Sequence, residues 1–384
     1  MDWSQISRQV DAAADVLRLR PQIVGRFYGD GNRLGQRPAD APAPAYYSPE
    51  RWIGSSTEAT NPPGIPSGGI STCLDIRGDG EGELALRDLL AHAELGPRLL
   101  GEPRHKAHDG ALRVLIKLLD ARLPIPFHVH ATDDFVATNP NVYPRERFGK
   151  DEAYHYLDVP KGDCPYTHIG VYPGVGAGDV VSALRRGTDH VIELTPGALQ
   201  RFGEGFIVRA GMLHRPGTAL TLEIQQPSDV YTMFQTDFGG APLPPEAMHP
   251  GFDSIDAAAE AVVDWQANTA PDPLDNLRLT PRPVTPTPAG GSLEWVYPPE
   301  ASDKFSGMRL KVTSTMKFTA QDPCILYIWR GEGTLDGLPV RGGAGPVGEN
   351  DEFFLGHEAV RRGIEITTTG EEPLVAFALF AAAV

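Results

Sequence analysis

The sequence predicts a mainly β protein: two β units in series behind an irregular, partly helical N-terminal segment. Three observations carry that expectation. The chain has 42 glycines and 36 prolines in 384 residues, a load that cuts helices and strands into short pieces. Short apolar segments bounded by turn signals recur along most of its length. A Pro-rich connector, PDPLDNLRLTPRPVTPTPAGG (271–291), separates one set of these segments from the other.

The elements follow in order. Trp3, Ile6, Val10, Ala13 and Leu17 recur at spacings of three and four, which predicts an amphipathic helix over 3–18. Its apolar face is expected to pack on its own chain, with a homodimer contact as the alternative. Residues 20–80 are rich in Gly, Pro and Ser and show no long period. A second helix is predicted over 84–101, ended by Gly101. RVLIKLLDA (113–121) is a buried apolar run that leads into IPFHVHATDDF. Strand-like pieces then alternate with turns: AYHYLDV, THIGVYPG, HVIELTPG, GFIVRAG and ALTLEIQQ. Their lengths and spacing predict a sandwich or barrel. IDAAAEAVVDWQ (255–266) reads as a helix before the connector. LKVTSTMKFT, CILYIWRGEGTLDG, DEFFLGH, GIEITTTG and PLVAFALF supply the second set of strands. The expected organisation is an N-terminal segment, 1–80, contributing to the first unit, then a first domain over 81–270 and a second over 285–384.

Composition excludes several classes of function. A net charge of −16 argues against nucleic acid and against anionic membrane surfaces as partners. The cysteines, Cys73, Cys164 and Cys324, lie far apart and lack CxxC spacing, which fits a reducing compartment and offers no thiolate site. The N-terminal stretch is polar and acidic, unlike a secretion signal, so a cytoplasmic location is expected. LVAFALFAAAV (374–384) is too short to span a bilayer and reads as a core strand.

One constellation carries chemistry. His128 and His130 sit in HVH; on a strand, side chains two apart share a face, so both imidazoles reach one ion. Lys150, Glu152, Tyr154 and Tyr156 share a face by the same alternation. His155 has the other parity, and it and His168 are given structural roles. His214 follows the turn at Gly211 in GEGFIVRAGMLHRPG. Imidazoles with a carboxylate suit zinc first, and also Fe, Mn, Co or Ni.

The spacing Gly203, five residues, Arg209-Ala-Gly211, two residues, His214 resembles the second motif of cupins, and HVH the histidine pair of the first. That resemblance implies a carboxylate four or five residues after the pair, which nominates Asp134, with Glu152 after an insertion as the alternative. The order RVLIKLLDA, HVHATDD, GKDEAYHYLD, FIVRAGMLHRPG and LTLEIQQPSD resembles type I mannose-6-phosphate isomerases, above all the short bacterial form. The likeness covers roughly residues 95–238, with weaker echoes at PERWIGSS (49–56) and LLGE (99–102). It implies a bicupin, two barrel or jelly-roll units, with the metal in the first and none in the second. It further implies a zinc held by His130, Glu152 and His214, which favours Glu152 over Asp134. His128 stands where the family usually has Gln. Lys150 matches a Lys or polar residue beside the metal, and Glu223 lies on the EIQQ strand lining the pocket. One departure concerns the substrate: SDVYTMFQTDF (228–238) lacks the Arg that commonly follows SD and reaches it.

The implied activity is aldose–ketose isomerisation of a sugar or sugar phosphate through an enediolate, with Lys150 and Glu223 as catalytic residues. A lysine beside a dication is expected to have its pKa pushed down. Two competitors use the same residues. One is an Fe(II) cupin oxygenase; the other is a sugar-binding or regulatory protein that keeps the metal without turnover.

Overall fold

A computed structural model describes residues 2–34, 46–61, 63–78, 82–161, 164–238, 241–343 and 350–383. Three large antiparallel sheets dominate. The central sheet has seven strands, in the order Arg278–Leu279, Gly205–Val208, Glu152–Tyr156, Thr221–Gln225, Leu115–Leu119, Tyr47–Ile53 and Gln22–Arg26. A five-stranded cover sheet runs Gly197–Leu199, Tyr166–Ile169, His214–Arg215, His128–Val129, Thr232–Met233. The C-terminal sheet has ten strands, with Leu374–Ala381 between Phe305–Val312 and Cys324–Leu335. The apolar C-terminal run is thus a core strand, as its composition predicts.

These sheets are open layers, and none among the described residues closes into a barrel. The outermost strands of the central and cover sheets are only two to five residues long. Strands that short do not carry a hydrogen-bond ladder from one layer round to the next.

Register gives the central sheet two unlike faces. Trp52, Lys117, Glu223, Tyr154 and Phe206 are direct cross-strand neighbours and look toward the cover sheet. One residue along, Ile53, Ile116, Ile224, Ala153 and Ile207 form the matching row on the opposite face. That apolar row shares one core with Val296, Tyr297, Ile325 and Phe377 of the C-terminal unit. Arg51 lies on the same face. It crosses to Asp351 at 2.8 Å and Glu352 at 2.6 Å, all three buried.

The helices depart from the sequence expectation in instructive ways. The first spans Trp3–Ala12, capped by the Asp2 carboxylate, and buries Ile6 and Val10 in its own chain's core. It stops short of residue 18 because Ala14 and Asp15 take φ of 48° and 61°. The chain then turns into Val16–Arg18, which pairs with Phe353–Leu355 of the C-terminal sheet. The stretch 84–101 is broken into Leu86–Ala91 and Leu95–Leu100, with Gly101 at φ 82° ending the second. The predicted 255–266 helix is likewise two pieces, Ile255–Val262 and Trp265–Asn268. HVIELTPG, read as a strand, is instead a short helix, Thr188–Ile192, followed by the start of a strand at Gly197. Its Val191 packs onto Val180, Val181 and Leu184 of the preceding helix, a contact that helical geometry makes. Within the connector, Arg278–Leu279 pairs with Gly205–Phe206 whereas Arg282–Pro283 pairs with Glu294–Trp295. No helix among the described residues is long and apolar enough to cross a membrane.

Candidate metal centre

The cluster forms where the cover sheet faces the central sheet. His128 and His214 are paired across adjacent strands of the former, and His130 follows two residues after His128. Glu152 comes from the first position of a central-sheet strand. Their ligand-type atoms all lie within 4.8 Å of one another, and all four residues are buried. Asp134 is not among them; it is exposed on the helix Asp133–Thr138.

The backbone fixes the tautomer of each ring. The Nδ1 atoms of His128, His130 and His214 sit 2.6, 2.6 and 2.9 Å from the carbonyl oxygens of Pro126, Val230 and Met212. A carbonyl only accepts, so each Nδ1 carries the hydrogen and each Nε2 presents a lone pair. Burial and the Lys150 ammonium push His130 down to about 3, and burial with the two other rings holds His128 well below the ordinary range, so both stay neutral at neutral pH. The Nε2 atoms of His130 and His214 lie 3.2 and 3.0 Å from Glu152 oxygens, acceptor against acceptor. These two nitrogens are buried without a hydrogen-bond partner. Buried lone pairs converging on a carboxylate are what a divalent cation satisfies, so the donor set fits a metal ion.

Local structure holds this geometry. Gly211 takes φ 85°, and a Cβ there would meet Asp264 at 2.9 Å. The Gly211 N–H donates to His130 O at 2.7 Å. Asn268, fully buried, donates to Gly211 O at 2.7 Å and accepts from Leu213 N at 2.8 Å, which pins the turn leading into His214.

Lys150 and Glu223 adjoin the cluster. Lys150 Nζ is 2.8 Å from Glu152 and 3.5 Å from Glu223. Burial opposes its charge, but the two carboxylates outweigh burial and hold the ammonium above the usual lysine range. Burial pushes Glu223 up to about 8, with Lys150 pulling down and Glu152 pushing up. The Tyr154 hydroxyl donates to Glu152.

Sequence reading alone does not nominate the rest of the pocket wall. Arg26 forks onto Asp229 at 2.9 and 3.0 Å and donates to Glu50 at 3.1 Å. Lys117 lies 3.6 Å from Asp229 and over the Trp52 ring at 4.9 Å. A signal for Lys117 was present, since it is the one charge within the apolar run LIKLL. The Glu50–Trp52 alternation was a second signal, whereas Arg26 had none. His155 faces Tyr297 and Phe377 on the sheet's other side, and His168 is bonded to Thr195.

Fold and site together define a layered, antiparallel β architecture with a buried His/Glu cluster suited to a metal. Among solved structures, mannose 6-phosphate isomerase from Bacillus subtilis shares this fold, with a TM-score of 0.65 at 18% identity over 95% of this chain and 99% of that one. A zinc-bound mannose 6-phosphate isomerase matches at TM-score 0.64 and 15% identity, over 96% and 100% of the two chains. A variant of the Salmonella typhimurium phosphomannose isomerase matches at 0.63 and 15%, with the same coverage. At these identities the likeness is one of fold. No family model and no curated protein sequence matches the chain.

Proposed function

We propose that this chain is a metal-dependent sugar isomerase of the mannose-6-phosphate isomerase type, interconverting an aldose and a ketose through an enediolate. One observation carries the reading. Three tautomer-fixed imidazoles and Glu152 converge on a point beside a Lys150–Glu223 pair, inside a cavity. His128, His130, Glu152 and His214 would hold the ion, zinc first among the candidates. When bound, it supplies the Lewis acidity that stabilises charge on two neighbouring substrate oxygens.

The chain's own residues do the proton work. Either Glu223 or Lys150 takes the proton from the carbon beside the carbonyl and returns it to the former carbonyl carbon. The other member of the pair moves a proton between the two oxygens. Tyr154 holds the Glu152 carboxylate in place, and the matched charges of Arg26, Lys117, Glu50 and Asp229 form a fixed polar wall. In this reading 81–270 is the metal-binding unit, 285–384 a metal-free unit, and part of 1–80 completes the pocket.

The test is aldose–ketose conversion by the metal-loaded protein across a panel of aldoses and their 6-phosphates. Conversion lowered by about 10²–10⁴-fold in Glu223→Gln or Lys150→Met supports the assignment. A silent panel with metal bound sinks it in favour of a binding protein. Oxygen consumption by the Fe(II)-loaded form would replace it with the oxygenase.

A further inference from the structure

We infer that the ligand of this pocket is an uncharged polyhydroxy compound, an unphosphorylated aldose or ketose, rather than a sugar phosphate; this deepens the isomerase reading and rests on it. The pairing of Arg26 and Lys117 carries it, the two lining cations whose carboxylate partners are not metal ligands. They line the cavity with Glu50 and Asp229, two cations against two carboxylates. All four are buried. Each cation meets both carboxylates: Arg26 is paired with Asp229 and Glu50, and Lys117 with the same two. No lining cation among the described residues stands without a carboxylate.

A phosphate, carrying roughly −1.5 to −2 at neutral pH, would have to draw Arg26 or Lys117 away from Asp229 or Glu50. That leaves a buried carboxylate unpaired, the costly outcome for a buried ion pair. A hydroxyl group imposes no such exchange. It donates to a carboxylate lone pair that the ion pair leaves open and accepts from an ammonium hydrogen, with every pair intact. The cavity is also small, ≈ 60 Å³. That suits the reacting end of a sugar with its hydroxyls.

Arginines without matched carboxylates line a different cavity of ≈ 490 Å³, where Arg113, Arg145 and Arg147 gather. Arg145 and Arg147 are exposed and have no ion pair among the described residues. That cavity shares only Thr60 with the first. It supplies the competing route by which a phosphate could be held.

The experiment measures binding of D-mannitol and D-mannitol 1-phosphate to the zinc-loaded protein by calorimetry, beside turnover of mannose, fructose and their 6-phosphates. Mannitol is expected to bind at least about tenfold more tightly than its phosphate, since the phosphate alone breaks a buried pair. The same order should hold in kcat/KM. Tighter binding of the phosphate, or no binding of either polyol at millimolar concentration, overturns the inference. Mannitol binding without turnover of any sugar leaves the inference standing and removes the isomerase reading. The surface variant Arg145→Ala/Arg147→Ala should leave the preference unchanged. If it weakens the phosphate arm selectively, a phosphate reaches the second cavity and the inference fails.

Discussion

Between the central and cover sheets the buried side chains include Glu50, Lys117, His128, His130, Lys150, Glu152, His214 and Glu223. Inside the C-terminal unit the equivalent layer is Leu310, Val312, Phe318, Leu326, Ile328, Phe353, Leu355 and Ile366. Its buried carboxylates among the described residues, Asp351 and Glu352, turn away from that core to meet Arg51. Both layers are antiparallel β structure, so architecture alone does not decide which one holds chemistry. The difference lies in what each interior must satisfy. An apolar layer is stabilised by removal from water and by close packing, and tolerates no polar atom. A polar layer survives only where each charge is matched, and the cluster of three imidazoles and Glu152 is the place where matching is incomplete without a cation.

The sharpest break of that comparison removes ligands from the polar layer. His130→Ala/His214→Ala should reduce metal content from about one transition metal per chain to none, read by elemental analysis of purified protein. Metal retained in this variant, or absent from the wild type, would abolish the contrast. The converse substitution, Leu326→Ala in the apolar layer, should cost about 2–5 kcal/mol in denaturant unfolding and leave the metal content untouched. A smaller effect is expected at Asn268. Replacing it by Ala removes both bonds that pin the His214 turn, at about 1–3 kcal/mol for the buried groups left unpaired. Metal affinity should fall at least about tenfold with it, a change a purely structural role would not produce.

The smallest effect belongs to an ion pair outside both interiors, Arg20–Glu83. Hydrogen bonding from Arg20, opposed by burial and aided by Thr72, lowers Glu83 from 4.5 to about 2. A carboxyl lowered in the folded state stabilises above its unfolded value and loses that contribution as pH falls. Glu83→Gln should therefore cost less than about 1 kcal/mol at neutral pH. The gap from wild type should close between about pH 4.5 and 2. A gap that widens on acidification would reverse the sign.

What the sequence determined by itself are the features with a short period. Alternation in HVH and in KDEAYHY places His128 with His130, and Lys150 with Glu152 and Tyr154, because strand geometry makes side chains two apart share a face. The apolar run at 374–381 and the two sets of strands are legible for the same reason. The first helix is legible only to Ala12, since nothing in the spacing of Ala13 and Leu17 signals that Ala14 and Asp15 turn back. Long-range pairing is where local pattern ends. Register across the central sheet sets Lys117 between Trp52 and Glu223. Chain order gives no hint that Arg26 forks onto Asp229, some 200 residues away. The absence of an arginine after Asp229 reads in sequence as a missing phosphate contact. The tertiary structure shows that Arg26 occupies Asp229 instead, and that its charge is already matched by buried carboxylates. Strand alternation is a property of neighbours along the chain; charge matching is a property of neighbours in space.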